Sequence, residues 1–250
     1  MKFGELLVAL FCALICTFVA PFAFAQADAE FVKANQEYAQ GHFKEAIDQY
    51  EALVRSGQWS ANLFYDLGNA YFRTGDFGRA ILNYERALAL EGHHPEAAAN
   101  LQIARDEARA LEMQPSWSER YLQFASINQY SVAAAIAFWT AIFCVVGLVF
   151  ARSRSAAAIA FSICSLLVLA VSIFAIHQLD VGSKGRALAI VTGKDAQARL
   201  ATADTANSIL ALPPGSEVRI LSTRGDWIYA ALPNNLRGWI LAKNTEQVRL

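Results

Sequence analysis

Hydrophobic and polar positions follow several different rhythms along this chain. A short apolar stretch runs from Leu6 to Val19 behind the single charge of Lys2 and an acidic Glu5. From about residue 30 to residue 112, apolar positions recur at helical spacing with charged residues between them. This predicts amphipathic helices with solvated outer surfaces. From Tyr121 to Ala151, and again from Ser155 to Leu179, there is no Asp, Glu, Lys or Arg. Each run exceeds the roughly 20 residues a helix needs to cross about 30 Å of hydrocarbon, so membrane spans are expected at 130–150 and 156–176. After Asp180 the rhythm shortens to alternating strands from Arg186 to Val248, broken at Pro213-Pro214-Gly215 and Asn234-Asn235. Such a stretch, with about five short strands, suits a small barrel.

Composition agrees with lipid-embedded segments. Of the 250 residues 55% are hydrophobic and 17% charged, whereas soluble domains carry about 45–50% and about 25%. The formal net charge of −1 hides an asymmetry. Residues 26–120 hold nine Lys/Arg against fifteen Asp/Glu, a net of −6, and residues 177–250 hold nine against six, a net of +3. Neither half is basic enough for nucleic acid, and no basic stripe alternates with aromatics.

The first 25 residues have the layout of an export signal, with Ala23-Phe24-Ala25 as its cleavage site. Arg152 and Arg154 stand in the short link, 151–155, between the two expected spans. Short positively charged loops stay on the cytoplasmic side. Both flanking parts are therefore expected across the membrane, where the export signal also sends the N-terminal part. Inside 130–150 and 156–176 no Asp, Glu, Lys, Arg or His occurs, so the pair is expected to anchor and not to carry ions or protons. Small residues four apart, Ala133, Ala137 and Ala141 on one helix and Ala156, Ala160 and Cys164 on the other, are the expected contact strips. The four cysteines, Cys12, Cys16, Cys144 and Cys164, all fall in the apolar runs. The water-exposed parts therefore have no disulfide framework, thiolate nucleophile or cysteine metal site.

Two segments superimpose at a fixed offset: GHFKEAIDQYEAL (41–53) and GDFGRAILNYERA (75–87). Gly41, Phe43, Ala46, Ile47 and Tyr50 each match the same residue type 34 positions later. Thirty-four is the period of the tetratricopeptide repeat, a helix–turn–helix unit. The glycines turn the chain, the alanines allow close helix approach, and the aromatics fill the groove between neighbouring units. An all-α repeat domain is expected over 26–114, with repeats at about 27–60 and 61–94 and a capping helix at 95–112. Two and a half repeats are few for a free-standing array, so the domain is expected to dock on something else. On this scaffold the concave face comes from the first helix of each pair. Phe31, Asn35 and Tyr38, then Asn62, Tyr65, Asn69 and Phe72, are the candidate protein-binding groove. That face has no lysine, which argues against capture of a peptide carboxylate.

Near the C-terminus, Leu212-Pro213-Pro214-Gly215 leads into one strand, Gly225-Asp226-Trp227 opens the next, and Gly238-Trp239-Ile240 lies in the last. These features resemble a bacterial SH3-type domain over 186–250. Leu241-Ala242-Lys243-Asn244 stands where relatives that bind proline-rich helices carry a Pro and a Tyr, so polyproline binding is not expected. The resemblance implies cell-wall peptides or neighbouring proteins as ligands, with Trp227, Tyr229 and Trp239 as candidate surface. At least one of the three is expected in the core, because a domain this small needs its aromatics inside. No phosphate loop, nucleophile elbow or paired His/Glu zinc helix is present. His93 and His94 are adjacent, which turns their rings apart, so no enzyme site, metal or cofactor is expected.

The order of parts resembles the BatE-like proteins of the aerotolerance (Bat) operons over the whole chain. HPEAAANLQIAR (94–105) closes the repeats and SINQYS (126–131) introduces the first span, much as in that family. The resemblance implies a multidomain membrane protein: all-α tetratricopeptide repeats, a transmembrane helical hairpin and a small all-β SH3-like barrel. It implies a two-pass scaffold of the bacterial inner membrane with repeats and barrel in the periplasm. As partners it implies von Willebrand factor A-domain membrane proteins and, across the membrane, a MoxR-type AAA+ ATPase, in envelope stress and aerotolerance. The alternative is a cell-wall anchor whose barrel binds peptidoglycan, with the repeats as spacer. Burial of both Trp227 and Tyr229 would remove its surface.

Overall fold

The computed structural model describes residues 29–150 and 156–249. The expected export signal, 1–25, and Arg152 and Arg154 lie outside the described residues. Five helices come first: α1 over 29–39, α2 (Phe43–Arg55), α3 (Ala61–Arg73), α4 (Phe77–Leu90) and α5 (Pro95–Ala108). Their ends are written locally. Gly41 and Gly75 follow α1 and α3 at φ 83° and 76°, a left-handed conformation that glycine adopts without strain. Ser60 and Asp76 cap α3 and α4 by accepting the backbone N–H of Leu63 and Arg79. His94 caps α5 through Nδ1, 3.3 Å from the Ala97 nitrogen, and Pro95 follows it at the first helical position.

The matched residues form the core of this helical array. Ala46, Ala80, Tyr50 and Tyr84 are buried, while Phe43 and Phe77 are half-buried against Tyr38 and Phe72. A Cβ on Gly68 would stand 2.7 Å from the Tyr84 ring, so the absence of a side chain lets α3 lie on α4.

Next come α6 (Trp117–Leu122), α7 (Ile127–Phe150) and α8 (Ala156–Val181). By length and composition α7 and α8 can each cross a membrane, and they pack on one another. The α7 face turned inward carries Tyr130, Ala137 and Ala141. On α8 the inward residues are Ser162, Ser165, Ser172 and Ala175, whereas Ala156, Ala160 and Cys164 are exposed. The α8 contact strip thus differs from the expected one. At 100° per residue Ala156 and Ala160 stand across α8 from Ser162, Ser165 and Ser172, so the small residues turned inward are chiefly serines.

The C-terminal part is an antiparallel sheet: β1 (Leu188–Val191), β2 (Ala196–Arg199), β3 (Ser208–Leu212), β4 (Glu217–Arg224), β5 (Trp227–Ala231), β6 (Arg237–Leu241) and β7 (Thr245–Gln247). Its order is β3-β2-β6-β5-β4-β1-β7, so the sheet is open between β3 and β7. Seven strands replace the expected five. The alternation of sequence runs β2 together with β1, and β7 is three polar residues with no apolar rhythm.

Repeats and sheet share a seam. Leu188, Ile190 and Val248 belong to the same buried cluster as Ile81, Leu82 and Tyr84. Close approach again needs glycine: a Cβ on Gly78 would stand 3.1 Å from the Val191 carbonyl, and one on Gly215 2.2 Å from Ile81 Cδ1. Beyond α5, Glu217 N donates to the Leu111 carbonyl at 2.8 Å, and Met113 N donates to the Glu217 carboxylate at 3.0 Å. Into this seam the fold places four charges. Arg105 of α5 meets Glu85 of α4 at 2.5 Å and also donates to Glu217 of β4. Lys184, between α8 and β1, reaches the same two carboxylates at 2.7 and 2.6 Å. Burial alone would lower the Lys184 pKa, but the facing Glu85 and Glu217 more than reverse this and hold it above an ordinary lysine.

Two outcomes follow from this packing. Gly68→Ala drives a methyl into the buried Tyr84 ring and lowers stability by about 1–3 kcal/mol, read by thermal or denaturant unfolding. Glu217→Ala leaves Lys184 facing Glu85 alone, leaves Arg105 with Glu85 and the half-exposed Glu112, and strands the Met113 N–H. Losing one partner of a buried charge cluster costs about 3–5 kcal/mol, so limited proteolysis should release the sheet from the repeats in this variant and not in the parent.

Candidate functional site

Two clefts open on the side formed by α1, α3 and α5. One, of 190 Å³, is lined by Tyr38, Asn69, Phe72, Arg73, Asn100 and Ile103 among others. The second, of 430 Å³, takes in Phe31, Asn62, Tyr65, Asp66, His93 and His94. Six of the seven groove residues expected from sequence line one cleft or the other. Asn35 lines neither: its Oδ1 accepts the Tyr50 hydroxyl at 2.5 Å.

That bond belongs to a unit repeated 34 residues on, where the Tyr84 hydroxyl donates to Asn69 Oδ1 at 2.8 Å. The rings repeat as well. Phe31 and Tyr50 lie 6.0 Å apart and Tyr65 and Tyr84 6.1 Å; Tyr38 and Phe43 lie 5.3 Å apart and Phe72 and Phe77 5.4 Å. Burial holds the hydroxyls of Tyr50 and Tyr84 above the usual tyrosine range, so both remain donors at neutral pH. Each candidate groove residue except Asn62 is therefore half-buried and partly used by the fold; Asn62 is exposed.

The structure adds residues that sequence reasoning missed. Asn100 Nδ2 donates to Asn69 Oδ1 at 2.9 Å and lies 3.4 Å from the Tyr65 hydroxyl. Ile103 stands exposed at the rim. The available signal was the period itself, since Ile103 lies 34 residues beyond Asn69. Arg73 also lines the small cleft, with its guanidinium 4.6 Å from the centroid of the Phe43 ring.

Asp66 supplies the pH-sensitive charge. Burial pushes its carboxyl up to about 6, against an opposing pull from His94.

On the sheet, Trp227, Tyr229 and Trp239 share one face, all half-buried. Tyr229 is the cross-strand neighbour of Trp239, with ring centroids 5.0 Å apart. Their neighbours Ile228, Ala230 and Ile240 point the other way and are buried. None of the three aromatics enters the core, contrary to the expectation that one would, because Ile, Val, Leu and Ala already fill it. Among the described residues no group of three His, Cys, Asp or Glu is placed to hold a metal ion.

The family model of the tetratricopeptide repeat matches residues 31–95 and, in a second placement, 65–119. The chain carries tetratricopeptide repeats. The second placement runs through α5, so the helix expected as a cap falls inside repeat territory, in line with the role of Asn100 and Ile103 at the clefts. No curated protein matches the chain. Tetratricopeptide repeats serve as scaffolds for protein–protein contact.

The raised Asp66 pKa has a definite sign. The folded state keeps a proton that the unfolded chain has released, so this group weakens the fold as pH rises from about 4 to about 6. Asp66→Asn is expected to raise stability at pH 7.5 by on the order of 1–2 kcal/mol and to change little at pH 4. Unfolding curves at the two pH values check this; equal effects at both would contradict it.

Proposed function

We propose that the protein is a membrane-anchored scaffold that binds a partner protein in the clefts of its tetratricopeptide repeats. The observation that carries this reading is the pair of clefts on the α1, α3 and α5 side, rimmed by the exposed Asn62 and Ile103. A partner would bring polar backbone groups for the asparagines and an apolar side chain for Phe72 and Ile103. α7 and α8 serve as the two-pass anchor. Support for one orientation comes from the shared seam, which requires repeats and sheet to lie on the same side of the membrane. Arg152 and Arg154 between the spans favour the cytoplasm for the link, hence the periplasm of a bacterial inner membrane for the rest. By its order of parts the protein belongs with the BatE-like scaffolds. A von Willebrand factor A-domain membrane protein is then the partner sought at the repeats, and a MoxR-type ATPase the one across the membrane.

A second reading rests on the half-exposed aromatic strip of Trp227, Tyr229 and Trp239. As the face of an SH3-type domain it would bind peptidoglycan.

Cross-linking in intact membranes followed by mass spectrometry separates the two. The variant Asn62→Arg with Ile103→Glu alters exposed rim positions outside the buried core. It is expected to lose the cross-linked membrane protein by about tenfold at unchanged thermal stability. Retention of that protein by the variant, together with wall fragments lost on Trp227→Ala and Tyr229→Ala, would favour the wall anchor.

A further inference from the structure

Outside α7 and α8, the most exposed large apolar side chains among the described residues stand within eight positions of one another. Trp117 is 78% exposed, Tyr121 74% and Phe124 82%. At 100° per residue Trp117 and Tyr121 lie on one face of α6, and Glu119 lies on the opposite face. Glu119 is buried and its carboxylate clamps the helix: it accepts the Ser116 N–H at 2.6 Å and the Ser183 N–H just beyond α8. Burial alone would raise the Glu119 pKa, but these backbone donors hold it below the usual carboxylate range. The Tyr130 hydroxyl of α7 donates to the Leu122 carbonyl at 3.1 Å, and its ring lies 5.8 Å from that of Phe124. α6 is thus fixed to the start of α7 and the end of α8.

Length sets the height at which this happens. With 24 and 26 residues, α7 and α8 are about 36 and 39 Å long, against a hydrocarbon core of about 30 Å. Their ends overrun the core by several ångströms and reach the headgroup layer, and α6 is pinned at those ends. That layer suits ring systems with a polar edge. In water the same three side chains would be an apolar patch without a cover.

We propose that α6 is an interfacial membrane helix. Trp117, Tyr121 and Phe124 seat in the headgroup layer of the bilayer that α7 and α8 cross, and the exposed Arg120 beside them meets lipid phosphate. This rests on reading α7 and α8 as membrane spans. Because the chain just before α6 is bonded to Glu217 of the seam, the helix fixes the height and tilt at which the repeat clefts face a partner.

The test uses the full chain in two sets of phosphatidylcholine nanodiscs, one with bromine near the headgroup end of the acyl chains and one with bromine near their methyl end. Subtracting the emission of Trp117→Phe from that of the parent isolates Trp117, and Trp139→Phe isolates Trp139 of α7. The expected result is loss of the Trp117 signal with bromine near the headgroup and of the Trp139 signal, midway along α7, with bromine near the methyl end, with Trp117 blue-shifted and insensitive to iodide. Quenching of Trp139 but not of Trp117, with Trp117 open to iodide, overturns the interfacial helix and leaves the spans standing. Protection of Trp117 from both quenchers only in discs holding two copies overturns it in favour of a second chain. An unquenched Trp139 removes the spans and the proposal together.

Discussion

Glu217 is a carboxylate with no exposed surface, placed where β4 meets the repeat helices. A charge taken out of water that completely persists only when partners surround it. Here they come from three separate stretches: Arg105 on α5, Lys184 at the exit of α8, and the Met113 N–H of the segment after α5. Glu85 closes the arrangement from α4. No two of these stretches can move apart without stranding a buried charge. The apolar contacts around it, Ile81, Leu188, Ile190 and Val248, supply the area; the charges supply the register.

This seam explains why two and a half repeats suffice. A repeat array leaves an apolar face at each end that the next unit would cover. Sheet residues of β1 cover α4 in that role, with Gly78 and Gly215 removing the side chains that would hold the surfaces apart. The seam also constrains the path of the chain. It leaves the repeats, runs out along α7, returns along α8 and rejoins the body it left, so both long helices must leave from one side of that body.

At the clefts, the fold and the proposed recognition draw on the same residues. The Asn–Tyr bond and the aromatic pairs recur at 34 residues because each repeat must fasten its own two helices. What would face the proposed partner is the remainder: the exposed edges of half-buried rings, Asn62, and the rim contributed by α5. The proposed binding surface and the fold are therefore most separable at exposed positions such as Asn62 and Ile103.

Sequence by itself determined the features that depend on near neighbours. The 34-residue period, the turn glycines, the two apolar helices and the alternation of β-formers are local patterns, and each is read from spacing alone. The asparagines and aromatics of α1 and α3 were visible for the same reason. The α8 contact strip, the open seven-stranded sheet, the outward aromatics of β5 and β6 and the contribution of Asn100 and Ile103 were decided by tertiary structure. For three of these the deciding partner is another element: α7 for the α8 strip, β1 for β7, and α3 for Asn100. The seam shows this most plainly. Arg105 and Glu217 are 112 positions apart, and at either one the sequence shows an ordinary charged residue. Only folding brings them out of water together, and that shared desolvation makes them the hinge on which the assembly of the parts depends.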